Sequence, residues 1–219
     1  MVACAPPTGE TTTETTAQTA APAKHDVVQV VFIADRSKSF ITKYAYPDPS
    51  LFKPLVEKIS QTSTLDFRYG IIKDYSDVTF DRYYKPFVPV AEQDNTNPWM
   101  EQEKAAPAAK ATDWNEFVLS VTAKLTAPAS NESDVASAIG HAVTILQEHS
   151  GKQRIHKVLI LCTDGLDSHR QLPTVPADIE VLAIGILPDN QIEQVLHTSN
   201  VKRFESLHAT LDFLTSQTF

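Results

Sequence analysis

The hydrophobic pattern of the chain is thin until residue 27 and regular after it. Residues 27–34, Val-Val-Gln-Val-Val-Phe-Ile-Ala, form a nearly continuous β-branched and apolar run, the pattern of a strand covered on both faces. Residues 50–61 place Leu51, Leu55, Val56 and Ile59 on one side of a predicted helix. Residues 66–73 and 78–87 read as two strands joined by a short polar turn at 74–77. Helical spacing returns at 113–125, where Trp114, Phe117, Val118, Val121 and Leu125 form one stripe. After a loop at 126–133 it resumes through Val135, Ile139, Ala142, Val143 and Leu146. Strands at 157–163 and 179–187, a helix at 190–198 and a short strand at 201–205 follow. A last helix from Leu207 carries Leu207, Leu211 and Leu214 on the face expected to pack on the sheet. Strands alternating with helices predict an α/β fold: a doubly wound, mostly parallel, Rossmann-like sheet with helices on both faces.

Two stretches break this rhythm. Residues 1–24 are rich in Thr, Ala, Pro and Glu and hold too little apolar surface to offset the entropy of ordering, so a disordered tail is expected. Residues 88–112 are polar, with Pro and Ala, and longer than a usual connection. They read as an insertion, with Trp99 as its candidate anchor. The division is therefore a tail at 1–24 and one domain at 25–219.

Composition narrows the partners. The 219 residues carry a formal net charge of -8, which argues against sequence-independent nucleic-acid binding, since that needs a basic face. The two cysteines, Cys4 and Cys162, lie in the tail and in an apolar strand run; the latter reads as a buried, inert thiol. No apolar run approaches the ~20 residues of a membrane-spanning helix. The opening Met1-Val2-Ala3-Cys4-Ala5-Pro6 resembles the end of a bacterial lipoprotein signal, in which the cysteine is lipidated. That resemblance implies a cell-envelope location, lipid-anchored or periplasmic, with membrane association only through Cys4. A soluble, cytoplasmic protein with a flexible tail stays open beside it.

The chemistry concentrates at strand ends, where ligands collect in open α/β sheets. The first strand ends Asp35-Arg36-Ser37-Lys38-Ser39, a later one ends Thr163-Asp164-Gly165, and Ser133-Asp134 precedes the second long helix. Asp-x-Ser-x-Ser after the first strand and Thr-Asp-Gly after a middle strand resemble the metal-ion-dependent adhesion site of von Willebrand factor A domains. The resemblance covers residues 27–219 without the insertion. It implies that Ser37, Ser39 and Ser133 offer hydroxyl ligands to Mg²⁺ (or Mn²⁺ or Ca²⁺), with Asp35 and Asp164 bound directly or through water. Neutral hydroxyls leave such a cation's charge under-compensated, so an open position would attract an acidic residue of a protein partner. Three departures from the family pattern stand out: Lys38 where glycine is common, Asn131-Glu132 where glycines often stand, and serine for threonine at Ser133. The same residues also fit plain turn and helix-start roles, satisfying backbone amides without metal.

Nothing else in the chain competes strongly. The seven histidines lack metal-ligand spacing; His169, close to the Asp164 loop, reads as a solvated loop residue. The chain has no P-loop, G-x-S-x-G or G-x-G-x-x-G pattern. The expectation is a metal-dependent binding module, for adhesion or complex assembly, and not an enzyme. A metal-free scaffold in a larger assembly is the alternative, with a magnesium-dependent phosphoester hydrolase a more distant one.

Overall fold

The computed structural model describes residues 27–42, 44, 47–72, 79–88, 111–126, 133–148, 154–165, 173–186 and 200–217. The tail with Cys4, the turn at 74–77, nearly all of the insertion with Trp99, Asn131, Glu132, His169 and the helix expected at 190–198 lie outside these residues.

Six strands form one sheet in the order β3-β2-β1-β4-β5-β6. They are β1 (Val27–Asp35), β2 (Thr64–Ile72), β3 (Phe80–Lys85), β4 (Ile155–Cys162), β5 (Ile179–Ile184) and β6 (Asn200–Phe204). Neighbours run parallel except β2 and β3, whose separation of seven residues is too short for a parallel crossover. The helices are α1 (Lys38–Ile41), α2 (Lys53–Ile59), α3 (Trp114–Leu125), α4 (Val135–Gln147) and α5 (Leu207–Ser216). Asp113, Asp134 and Ser206 cap α3, α4 and α5, each side chain accepting a backbone N–H of the first turn. Among the described residues no helix is long and apolar enough to cross a membrane.

Alternation along β1 divides the core. Val28, Val30, Phe32 and Ala34 face a cluster completed by α2, α3 and α5, while Val31 and Ile33 face α4. All nine residues of β1 are buried, which is why seven of the nine, all but Gln29 and Asp35, are apolar rather than alternating with polar ones. Phe117 and Val121 of the predicted α3 stripe are buried, and Trp114, Val118 and Leu125 pack against them. Leu211 and Leu214 of α5 are buried and Leu207 packs beside them, as the spacing predicts.

One core residue departs from expectation. Leu51, assigned to the apolar face of the helix at 50–61, is 50% exposed, and Phe52 is fully buried instead. Residues Pro49–Phe52 form a separate 3-10 helix before α2. Its three residues per turn, against 3.6 in α2, shift the phase of the stripe by about one position.

Direction through the fold fixes the two ends of the sheet. Val27 pairs with Thr64 and Ile155 at one end, and Ala34 pairs with Ile71 and Cys162 at the other. The Lys124 carbonyl near the end of α3 accepts from Arg36, just past Asp35, so α3 ends beside the C-terminal end of β1. The Arg154 carbonyl accepts from the Val27 N–H, so the chain is back at the opposite end when β4 begins. Helix α4 therefore descends from the Asp35 end, and Ser133, just before it, belongs to that end. The insertion is rooted at the opposite end, where Lys85 pairs with Leu65 and the Thr112 N–H donates to the Tyr84 carbonyl at 2.9 Å.

Gly140 lies mid-way along α4, and a Cβ there would meet only Pro173, at 3.9 Å. Gly140→Ala therefore adds no clash and removes glycine's entropic cost in a helix. We expect it to stabilise the domain by about 0.5–1 kcal/mol, read from urea midpoints; a lower midpoint would show that α4 is packed more tightly than described.

Candidate functional site

Asp35, the last residue of β1, is fully buried. Its Oδ1 accepts the Ser37 N–H at 2.7 Å, and its Oδ2 accepts the Thr163 hydroxyl at 2.7 Å across the sheet from the end of β4. The Ser37 Oγ lies 3.0 Å from the Ser39 Oγ and accepts the Phe40 N–H at 3.4 Å, capping the short α1. Thr163 is itself fixed. Its N–H donates to the Ile184 carbonyl at 3.1 Å, and its Oγ1 accepts the Gly165 N–H at 3.0 Å. Asp164, between them, is fully buried. Gly165 turns the chain away with φ 74°, a conformation that glycine adopts without steric cost.

The electrostatics follow from this packing. Burial raises the Asp35 pKa above the usual carboxylate range; the Ser37 and Thr163 hydrogen bonds pull it back, and the nearby Asp164 charge raises it again. Burial, with the Asp35 charge adding to it, pushes the Cys162 thiol up to about 12. Cys162 is therefore the buried, inert thiol expected of it.

Of the predicted site residues, the structure joins Asp35, Ser37 and Ser39 directly and sets Asp164 within electrostatic reach of Asp35. Ser133 is buried at the same end of the sheet, one residue before α4. Lys38 is exposed, whereas Ser37 and Asp35 on its N-terminal side are buried.

Three further residues take part that pattern reading did not single out. Thr163 holds Asp35; Asp134, 5% exposed, caps α4 through the Ser137 N–H at 3.0 Å. Arg36, 2% exposed, reaches α3. The signal for Thr163 was present in the Thr-Asp-Gly sequence. For Arg36 alternation along β1 gives the face it shares with α3 but not its burial, since both faces of the strand are covered.

The donor set is two carboxylates and three hydroxyls. These are hard oxygens, suited to Mg²⁺, Mn²⁺ or Ca²⁺ rather than to metals that seek nitrogen or sulfur. Among the described residues no group of three or more His, Cys, Asp or Glu side chains is placed to hold a metal ion, so any cation here would rely on the serines. The residues fit a hard divalent cation on that chemistry.

Gly185, with φ 79° at the end of β5, backs the cluster. A Cβ there would lie 3.1 Å from the Thr163 carbonyl oxygen, 3.2 Å from the Phe40 ring and 3.3 Å from the Tyr44 ring. Gly185→Ala is expected to lower stability by about 1–2 kcal/mol through backbone strain alone, measured by denaturant melts; a neutral result would mean that the turn relaxes without cost.

No protein-family model matches the chain, and no curated protein matches it in sequence. Solved structures do. A von Willebrand factor type A protein from Catenulispora acidiphila superposes with a TM-score of 0.50 and 13% identity, over 88% of this chain and 42% of that one. Proximal thread matrix protein 1 from the mussel byssus gives 0.49 and 14%, over 88% and 45%. A form of that mussel protein described with a zinc-occupied MIDAS motif gives 0.43 and 13%, over 87% and 45%. The chain thus spans less than half the length of these structures. Its six-stranded, mostly parallel sheet with helices on both faces is the von Willebrand factor A fold.

Proposed function

We propose that this von Willebrand factor A-type module binds a protein partner through a divalent cation held at the Asp35 end of the sheet. In this reading Ser37, Ser39 and Ser133 offer hydroxyl oxygens, and Asp35 and Asp164 bind directly or through water. Bound there, Mg²⁺ or Mn²⁺ supplies a Lewis-acidic position that an acidic side chain of the partner can fill. The observation that carries the reading is a pair of fully buried carboxylates, Asp35 and Asp164, at neighbouring strand ends, with the Asp164 charge acting on Asp35. Burying two like charges together is costly, and a cation between them offsets that cost. Thr163 and the Ser37 N–H orient Asp35, and Ser37 and Ser39 converge to within 3.0 Å.

Titration with Mn²⁺, followed by the loss of its aqueous electron-spin signal, tests this. The expected result is one ion bound per chain and none bound by Asp164→Ala; a parent protein that takes up no Mn²⁺ would overturn the reading. One observation favours a metal-free scaffold instead: both Asp35 oxygens already accept hydrogen bonds. A carboxylate has further lone pairs, so those bonds leave capacity for a cation.

We read the module as a binder rather than an enzyme. Of the described histidines, His141 and His208 are exposed and His156 stands toward the opposite end of the sheet. For the envelope location the support is the sequence around Cys4. Metabolic labelling with palmitate that survives Cys4→Ser would rule out a lipid anchor there.

A further inference from the structure

Along β1 the even-numbered side chains enter the face shared with α3, and Arg36 continues that series one residue past the strand. It is only 2% exposed, and a guanidinium buried to that degree needs hydrogen-bond acceptors. Its Nη1 donates to the Lys124 carbonyl at 2.6 Å, across 88 residues of sequence. Lys124 is the penultimate residue of α3. The last carbonyls of a helix lack intrahelical partners and carry the negative end of its dipole, so a charged donor there makes a strong, oriented bond. On either side of Arg36 stand Asp35 and Ser37, themselves closed into a ring by the bond from the Ser37 N–H to Asp35 Oδ1. A shift of Arg36 therefore moves both.

We propose that Arg36 is a positioning residue of the cation site, tying the end of α3 to the 35–39 loop. The inference rests on the reading of this cluster as a cation site. It assigns a role to the residue between the aspartate and the first serine, which the ligand pattern itself leaves unspecified. A second hold on α3 provides the contrast. Lys124 Nζ and Ser120 Oγ both bind Asp81 of β3, at 2.7–2.8 Å, which secures the helix to the sheet edge without reaching the loop.

The test compares the parent with Arg36→Gln, Arg36→Lys and Asp81→Asn by Mn²⁺ titration and by amide hydrogen exchange on metal-free protein. Arg36→Gln should weaken Mn²⁺ binding at least tenfold while the circular dichroism melt stays cooperative. Arg36→Lys, which keeps the charge and one donor, should recover part of the loss, and Asp81→Asn should bind within about twofold of the parent. In metal-free Arg36→Gln, exchange should quicken together at 37–40 and at 122–126. Mn²⁺ binding by folded Arg36→Gln within twofold of the parent, or faster exchange at 122–126 alone, would overturn the proposal. If Arg36→Gln does not fold, Arg36→Lys carries both comparisons. If the parent takes up no Mn²⁺, the metal reading fails by itself, and the exchange pattern alone decides whether Arg36 ties the two segments.

Discussion

Chelator-stripped protein should gain about 2.7 kcal/mol when Mg²⁺ or Mn²⁺ reaches roughly one hundred times its dissociation constant, and Asp35→Asn should abolish that gain. For a domain of this size the shift is roughly 5–10 °C in melting temperature. The choice of asparagine matters. It keeps the size of the side chain and can still accept the Ser37 N–H, while the Thr163 hydroxyl can accept from its amide. It removes the charge that burial and Asp164 make unfavourable. A carboxyl whose pKa is raised on folding stabilises the fold only while protonated: its contribution is intact below about pH 4 and lost as pH rises through the folded-state value. Metal-free Asp35→Asn at neutral pH should therefore melt at or above the parent, and only the response to metal should vanish. Differential scanning calorimetry with and without chelator reads both effects. An equal metal shift in parent and variant would remove Asp35 from the site.

Phe52→Ala should be the more damaging substitution for the fold itself, at about 3–5 kcal/mol, against about 0.5 kcal/mol or less for Leu51→Ala. Phe52 is fully buried and meets the rings of Phe32 at 4.8 Å, Phe67 at 5.0 Å and Tyr69 at 6.3 Å. Leu51, its neighbour, is half exposed and borders an open cleft with Tyr44, Pro47 and Leu207. The pair tests the 3-10 turn at Pro49–Phe52 directly. Were this segment a continuous α-helix from residue 50, the costs of the two substitutions would be reversed.

The contrast shows where the sequence could be read and where it could not. β1, α3 and α4 were legible because each is long enough for its period to repeat, and because burial on one or both faces demands that period. The segment before α2 was not, since a four-residue 3-10 turn shifts the phase without leaving a composition of its own. At the site, the residues were visible as two polar strand ends, but their adjacency was not. Asp35 and Thr163 lie 128 positions apart and meet because β1 and β4 are neighbours in the sheet, an order that hydrophobic spacing does not encode. The likeness of the two motifs to the von Willebrand factor A pattern supplied it. The inward course of Arg36 is hidden in the sequence for a related reason. A charge just past a strand normally marks the solvent side, and only the end of α3 reveals that this one points inward.

Crystals grown with manganese, with data collected at the manganese absorption edge, put the central claim to its most direct test. One anomalous peak is expected among the hydroxyl oxygens of Ser37, Ser39 and Ser133, with Asp35 and Asp164 beside it. No peak there, with the space filled by the Lys38 ammonium, would contradict it and leave a metal-free scaffold with the same fold.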